Sequence, residues 1–375
     1  IVLVLASGGD TGRRHRPDPR TGTSPHWFLG DGMVHGIRLE GGKAVSYRNR
    51  YVRTPDVTAV LGGDPCPSQW PDGHPAFSAN TNVVAHAGRT FAIVEAGSPP
   101  VELGYELDTV QVSSFDGTLP YAFTAHPKRD PRTGELHAVV YYWGWGNQVQ
   151  YLVVGTDGRV RHTVDIPLPG APMVHDMSLT ERYAVVYDLP CTFDLEAASA
   201  GSPLPYRWND AYVPRLGLLP RDGSAEDIAW CETDSCYVFH PMNSYEEGDK
   251  IILDVARFPY MWKDSGIDFP SPYLWRFTID TVAGTVKEEQ IDDRSAEFPR
   301  VADANIARPH RYGYMMSMSG RPDRPAEQSG AFALQGVVHQ RAGRGGVGLV
   351  FLGPRQDKRA RVEAGPEPAQ EPREQ

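Results

Sequence analysis

Three of the 12 histidines in this 375-residue chain sit where they could share a metal ion. His126 lies in Phe123-Thr-Ala-His-Pro-Lys128, His175 in Pro172-Met-Val-His-Asp-Met177, and His240 closes the apolar run that begins at Tyr237. Each stands at the edge of a strand-like stretch. Neutral imidazoles ligate zinc, copper, iron or nickel, and ligand type alone does not choose among them. The separations of 49 and 65 residues form no local motif, so only a fold that brings distant strands to one axis could unite them. The competing reading, which fits most lone histidines, is a surface or core residue with no ligand. Glu95 ends the run Phe91-Ala-Ile-Val-Glu95, and Glu297 lies in Ala296-Glu-Phe-Pro-Arg300. A ligand histidine commonly donates its outer N–H to such a carboxylate. A strand-end acid reaching water is the plainer reading of Glu95, and an exposed loop acid that of Glu297.

The elements that must carry these residues read as strands. Short β-branched and aromatic runs lie between turn residues, with 38 glycines and 33 prolines spread along the chain. The clearest are 90–95, 136–143, 150–154, 183–189, 236–240, 250–255, 274–279 and 311–316. Asp157-Gly158 predicts a hairpin turn between 151 and 163, and Ala283-Gly284 another between 275 and 287. No long segment has a 3.6-residue period, and no glycine-rich phosphate loop follows a strand. Many short strands fit a sandwich, a barrel or a propeller, and the length favours a propeller.

Composition bounds the partners. With 47 acidic and 37 basic residues the formal charge is −10, which argues against nucleic acid as a partner. No apolar run approaches a membrane span. Ile1–Ala6 is too short for a signal-peptide core. Four cysteines make no disulfide framework in a chain this long; free, mostly buried thiols and a reducing cytoplasm are expected. Cys231 and Cys236 lack the second close pair that a zinc site needs. From Arg321 onward there is no Tyr, Trp, Ile, Met, Thr or Asn, although the chain has 17 Tyr and 8 Trp. Two readings fit residues 321–375, a disordered extension and an out-of-frame segment, and the second is favoured. Residues 1–22, with Arg13-Arg14-His15-Arg16, are similarly atypical.

Between about His26 and Met316 the sequence resembles the carotenoid cleavage oxygenases, iron-dependent enzymes that include stilbene cleavers. The pieces that carry the resemblance, in the family's order, are His26-Trp-Phe-Leu-Gly-Asp-Gly-Met-Val-His35, Tyr47-Arg-Asn-Arg-Tyr-Val-Arg-Thr54, Ala79-Asn-Thr-Asn82, Thr124-Ala-His-Pro-Lys128, Asp130-Pro-Arg-Thr-Gly-Glu-Leu136, Val174-His-Asp176, Phe239-His-Pro-Met-Asn243 and Glu297-Phe-Pro-Arg300. Any one is weak; eight in order are specific. The resemblance implies an all-β, seven-bladed β-propeller with a loop and helix cap over residues 23–320, incomplete in the last blades. It implies Fe(II) on the axis, held by four histidines of which His126, His175 and His240 match the first three. Glu95 and Glu297 match the carboxylates that support them, and Thr81 matches a residue beside the iron that limits access to an open coordination position. Gly30-Asp-Gly-Met33 is a family hallmark, read as structural.

The chemistry implied is insertion of O2 across one double bond of an apolar conjugated chain, giving two carbonyl products. The family's fourth histidine, near its C-terminus, has no match. Only His310 and His339 follow His240, and neither context fits. A non-catalytic, ligand-binding propeller is therefore an alternative, and a zinc hydrolase a weaker one for want of a nucleophile motif. Stilbene cleavers tend to place a lysine before the first ligand histidine; residues 96–125 hold none, although Tyr105 and Tyr121 are there. This leans toward a carotenoid or apocarotenoid substrate. Pro259-Tyr-Met-Trp262 is an aromatic loop that fits peripheral membrane contact or, at least as well, ordinary packing.

Overall fold

All eight apolar runs form strands, and they hydrogen-bond into antiparallel sheets. The computed structural model describes residues 2–6, 28, 30–75, 79–202, 204–263, 269–318, 337–341 and 349–352, with the backbone alone for 2–6, 56, 60, 337–341 and 349–352. The expectations for 1–22 and 321–375 therefore fall largely outside the described residues. The first sheet joins β1 (Val2–Ala6), β2 (Met33–Glu40) and β3 (Lys43–Tyr51), followed by the short α1 (Pro55–Leu61). The second runs β4 (Asn82–His86), β5 (Arg89–Ile93), β6 (Val101–Leu103), β7 (Thr109–Val112). The third runs β8 (Lys128–Arg129), β9 (Leu136–Tyr141), β10 (Gln148–Val154), β11 (Val160–Pro167).

The fourth sheet begins with β12 (Ser178–Leu179) and β13 (Tyr183–Asp188). A ribbon of β14 (Cys191–Phe193) and β15 (Tyr206–Trp208), with α2 (Leu195–Ser199) between them, interrupts it before β16 (Arg215–Pro220) and β17 (Ala229–Glu232). The fifth runs β18 (Tyr237–Glu247), β19 (Lys250–Phe258), β20 (Tyr273–Asp280), β21 (Thr285–Gln290). The sixth runs β22 (Ala296–Arg300), β23 (Tyr312–Ser317), β24 (Val337–Arg341), β25 (Leu349–Leu352). Apart from the ribbon, sheet order follows chain order, as short hairpin links favour. Both predicted hairpins are present, with Gly158 at φ 82° and Gly284 at φ 67°, backbone that glycine adopts without penalty.

The core lies between sheets, where alternate residues of neighbouring strands meet. Val139 and Tyr151 of the third sheet, Val185 and Leu218 of the fourth, and Leu253 and Phe277 of the fifth belong to one buried cluster. Met261 and Trp262 are fully buried in it, with the Trp262 ring 6.4 Å from those of Phe28 and Phe239. Of the candidate loop Pro259–Trp262, Met261 and Trp262 thus pack inward, while Pro259 is exposed and Tyr260 half-buried. Among the described residues no helix is long and apolar enough to cross a membrane. None of the four cysteines is in a disulfide, and three of them are buried. The edge strand β3 is exposed along almost its whole length, and Lys43, Arg48 and Arg50 give it the charge that discourages edge pairing.

Gly32 of the hallmark has a packing reason. A Cβ there would meet the Ala79 carbonyl oxygen at 2.3 Å, and the Gly32 oxygen accepts from Val52 N–H at 2.8 Å. Beside it, Asn80 Nδ2 donates to the Phe28 and Gly30 carbonyls at 2.8 and 2.7 Å. The hallmark thus joins the first sheet to the segment that carries Thr81.

Arg221 ties the third and fourth sheets together. It donates to Asp130 at 2.6 Å and to Nε2 of His137 at 2.6 Å, while Nδ1 of His137 meets the Tyr151 hydroxyl at 2.7 Å. Burial, then the Arg221 charge, pushes the His137 pKa down to about 3. The unfolded chain, with an ordinary histidine, binds one more proton between that value and about 6.5, so stability falls as pH drops through 6.5. Between pH 7 and pH 5 this group alone should remove about 2 kcal/mol. Denaturant midpoints at both pH values should show a larger fall for the native chain than for His137→Gln. Equal falls would contradict a buried neutral His137.

Candidate metal centre

One candidate residue lies in, or within three residues before, the first strand of each four-stranded sheet. Thr81 immediately precedes β4, His126 stands two residues before β8, His175 three before β12, His240 lies in β18 and Glu297 in β22. Glu95 follows β5. The local sequence explains the aim of several side chains. His126 and His240 each precede a proline, which keeps their backbone extended. Pro241 also interrupts the ladder, and the β18–β19 register shifts between Val238 and Pro241, around His240. The β22–β23 register shifts likewise between Glu297 and Arg300. Such bulges re-aim side chains beside functional sites. Both carboxylates are followed by a left-handed residue, Ala96 at φ 63° and Phe298 at φ 53°. Non-glycine residues pay roughly 1–2 kcal/mol for that conformation.

The three histidines converge through one ring nitrogen each. Nε2 of His126 lies 2.9 Å from Nε2 of His175, which lies 3.2 Å from Nε2 of His240. All three ligand atoms fall within 4.8 Å of one another. The outer nitrogens point away. Nδ1 of His175 is 2.7 Å from Oε2 of Glu95, and Nδ1 of His240 is 2.8 Å from Oε2 of Glu297. Glu297 also accepts from the Phe298 N–H. The Tyr141 hydroxyl donates to Glu95. Nδ1 of His126 is buried without a hydrogen-bond partner.

These contacts bear on the chemistry of the inner nitrogens. An ionised carboxylate can only accept, so wherever Glu95 and Glu297 are ionised, Nδ1 of His175 and of His240 carry hydrogen. Their neutral forms then present two bare lone pairs 3.2 Å apart. Two lone pairs repel unless a cation lies between them, so the donor set fits a metal ion. Burial, then the charges of the neighbouring rings, holds the His126 pKa well below the ordinary value, and His240 behaves alike. Burial opposes charge on His175 too, but Glu95 outweighs it and the pKa rises. Burial pushes Glu297 up to about 8.

Aromatic rings flank the cluster on one side. Phe239 packs edge-on to His175 at 5.0 Å, and Phe298 lies 5.1 Å from His240. On another, Lys128 pairs with Asp176 at 2.7 Å. The Thr81 hydroxyl donates to Asn80 at 3.1 Å, and Asn82 Nδ2 donates to the Ala125 carbonyl at 3.1 Å, tying this segment to the His126 turn. Sequence reasoning missed Tyr141, Lys128 and Asp176, although the last two lie inside quoted motifs. His310 is buried elsewhere, with Nδ1 3.1 Å from Asn243 and Nε2 3.5 Å from Asp254. His339 lies on β24, whose side chains are not described.

Three kinds of comparison bear on this arrangement. The family model described as retinal pigment epithelial membrane protein matches residues 11–369. The carotenoid cleavage oxygenase of Mycobacterium tuberculosis is 43% identical over 361 aligned residues, covering 82% of this chain and 71% of that protein. The carotenoid 9,10(9',10')-cleavage dioxygenase of Crocus sativus is 31% identical, covering 77% of this chain and 59% of that one. Among solved structures, the lignostilbene dioxygenase of Pseudomonas brassicacearum is similar at a TM-score of 0.76 and 28% identity, covering 94% of this chain and 81% of that one. Cobalt-substituted apocarotenoid oxygenase of Synechocystis shares the fold at a TM-score of 0.76 and 24% identity, covering 94% and 78%.

Proposed function

The chain belongs to the retinal pigment epithelial membrane protein family of carotenoid cleavage oxygenases, and from that premise we propose that it is an Fe(II)-dependent dioxygenase of carotenoids or apocarotenoids. Its reaction splits one C=C bond and both atoms of O2 enter the products, two aldehydes or ketones. The sheets would be blades of a seven-bladed propeller, with the histidines on its axis. The observation that carries the reading is the convergence of three buried imidazole nitrogens, two of them backed by carboxylates.

His126, His175 and His240 would hold the ion, with Glu95 and Glu297 keeping hydrogen on the outer nitrogens of the last two. A bound ferrous ion supplies O2 activation, which redox-inert zinc does not. Phe239 and Phe298 give the reacting carbons an apolar wall, which favours a polyene over water. Thr81 would restrict approach to an open coordination position.

Substrate class follows from the relatives and from the missing lysine between 96 and 125. Stilbene cleavage is the second reading, favoured by the likeness to a lignostilbene dioxygenase. Anaerobically purified protein loaded with Fe(II), given O2 and either an apocarotenoid or a hydroxystilbene, should yield paired carbonyl products from the apocarotenoid. Products from the stilbene alone would reverse the substrate assignment. A folded chain that takes up no iron and cleaves neither would overturn the enzyme reading.

A further inference from the structure

His126 is the exception among the three candidate ligands. Its outer nitrogen is buried with no carboxylate at hand, whereas Nδ1 of His175 lies 2.7 Å from Glu95 as an ion-pair contact outside hydrogen-bond geometry, and Nδ1 of His240 is hydrogen-bonded to Glu297 at 2.8 Å. A ligand imidazole without such a partner needs another source of orientation. Two residues beyond it stands Lys128, and next to His175 stands Asp176. Their charged groups meet at 2.7 Å, with the side chains 13% and 2% exposed. Asp176 is itself held, because Oδ1 accepts from the Met177 N–H at 2.6 Å. Pro127 stiffens the link from His126 to Lys128. The ion pair therefore spans the two sheets at the point where their ligand-bearing turns touch.

We propose that Lys128 and Asp176 are positioning residues, an ionic clamp that holds the His126 turn against the His175 turn in place of the carboxylate His126 lacks. The inference rests on the metal-site reading above. Neither residue touches the reacting atoms; both act through the imidazoles. Because they work as one unit, removing either should have the same effect as removing both.

Co(II) is the probe, since its visible absorption reports coordination geometry as well as binding. Asp176→Asn, Lys128→Met and the double variant should each bind Co(II) about tenfold more weakly than the native chain. Their visible bands should shift in the same way, and Lys128→Arg should restore part of both. Should a single variant unfold, the double variant, which buries no unpaired charge, carries the same comparison. Native affinity and native bands in folded variants would overturn the clamp, even if thermal stability fell. A folded native chain that binds no Co(II) would instead overturn the metal-site reading, and the clamp with it.

Discussion

Replacing His175 by alanine should abolish stoichiometric iron binding, and turnover with it. His175 is the middle ligand, since its Nε2 faces both His126 at 2.9 Å and His240 at 3.2 Å. Two nitrogens on opposite sides of the gap remain in the variant. Sharing a metal-binding free energy of about 10–16 kcal/mol among the ligands of a site puts each at roughly 3 kcal/mol, a loss of about 10²-fold or more in affinity. Metal content after anaerobic purification and desalting should fall from near one iron per chain to a trace. A second readout needs no activity. Fe(II) at a thousandfold excess over its dissociation constant stabilises the folded state by about 4 kcal/mol, which for a chain of this length raises the melting temperature by roughly 5 °C. The variant should show no such rise.

The informative control is His310→Ala. His310 is equally buried, but it belongs to the Asn243–Asp254 cluster and not to the three converging rings. That variant should lose stability yet keep its metal and its metal-dependent rise in melting temperature. If His310→Ala lost iron as completely as His175→Ala, the ligand set proposed above would be wrong. Loss of iron in neither would remove the three-histidine centre altogether.

The contrast between these two histidines shows what the sequence can and cannot disclose. Strands were legible because β-branched and aromatic runs between turn residues are local signals; Lys250–Phe258 and Tyr273–Asp280 stand out for that reason. That His126, His175 and His240 meet was not readable from local pattern, because convergence depends on how successive sheets share one axis. Only the ordered motifs of a related family pointed there. Partners farther apart in the chain stayed hidden for the same reason. Arg221 reaches back 91 residues to Asp130, and no local rule links them. An aromatic loop reads alike whether it packs inward or faces a membrane; Trp262 itself packs against the rings of Phe28, Phe239 and Phe269. Tyr141 was passed over as one more apolar position of a buried strand. Its hydroxyl gains meaning only once Glu95 is seen beside it.

Glu297→Gln should weaken metal binding by about 10–100-fold at alkaline pH, with a deficit that shrinks as pH falls. Glu297 is buried, and its Oε2 accepts from both His240 and the Phe298 N–H. An ionised carboxylate there keeps hydrogen on Nδ1 of His240, leaves Nε2 bare and adds negative charge behind the ligand. The amide removes the charge. If it turns its NH2 toward His240, it also reverses the tautomer. The pH dependence has a definite sign. Burial pushes Glu297 up to about 8 in the metal-free protein, so below that pH the group is protonated before metal arrives. Binding must then expel a proton, and native affinity should fall by up to about tenfold per pH unit below 8. Glutamine has no proton to expel, so the variant lacks this component and its affinity curve approaches the native one near pH 6. Titrations with Co(II) from pH 6 to 9, read by visible absorption and by proton release into a weak buffer, test both parts. Parallel curves for the two proteins would mean that the carboxylate only fills space. Curves that converge at low pH, with less proton released by the variant, would mean that it tunes the ligand through its charge.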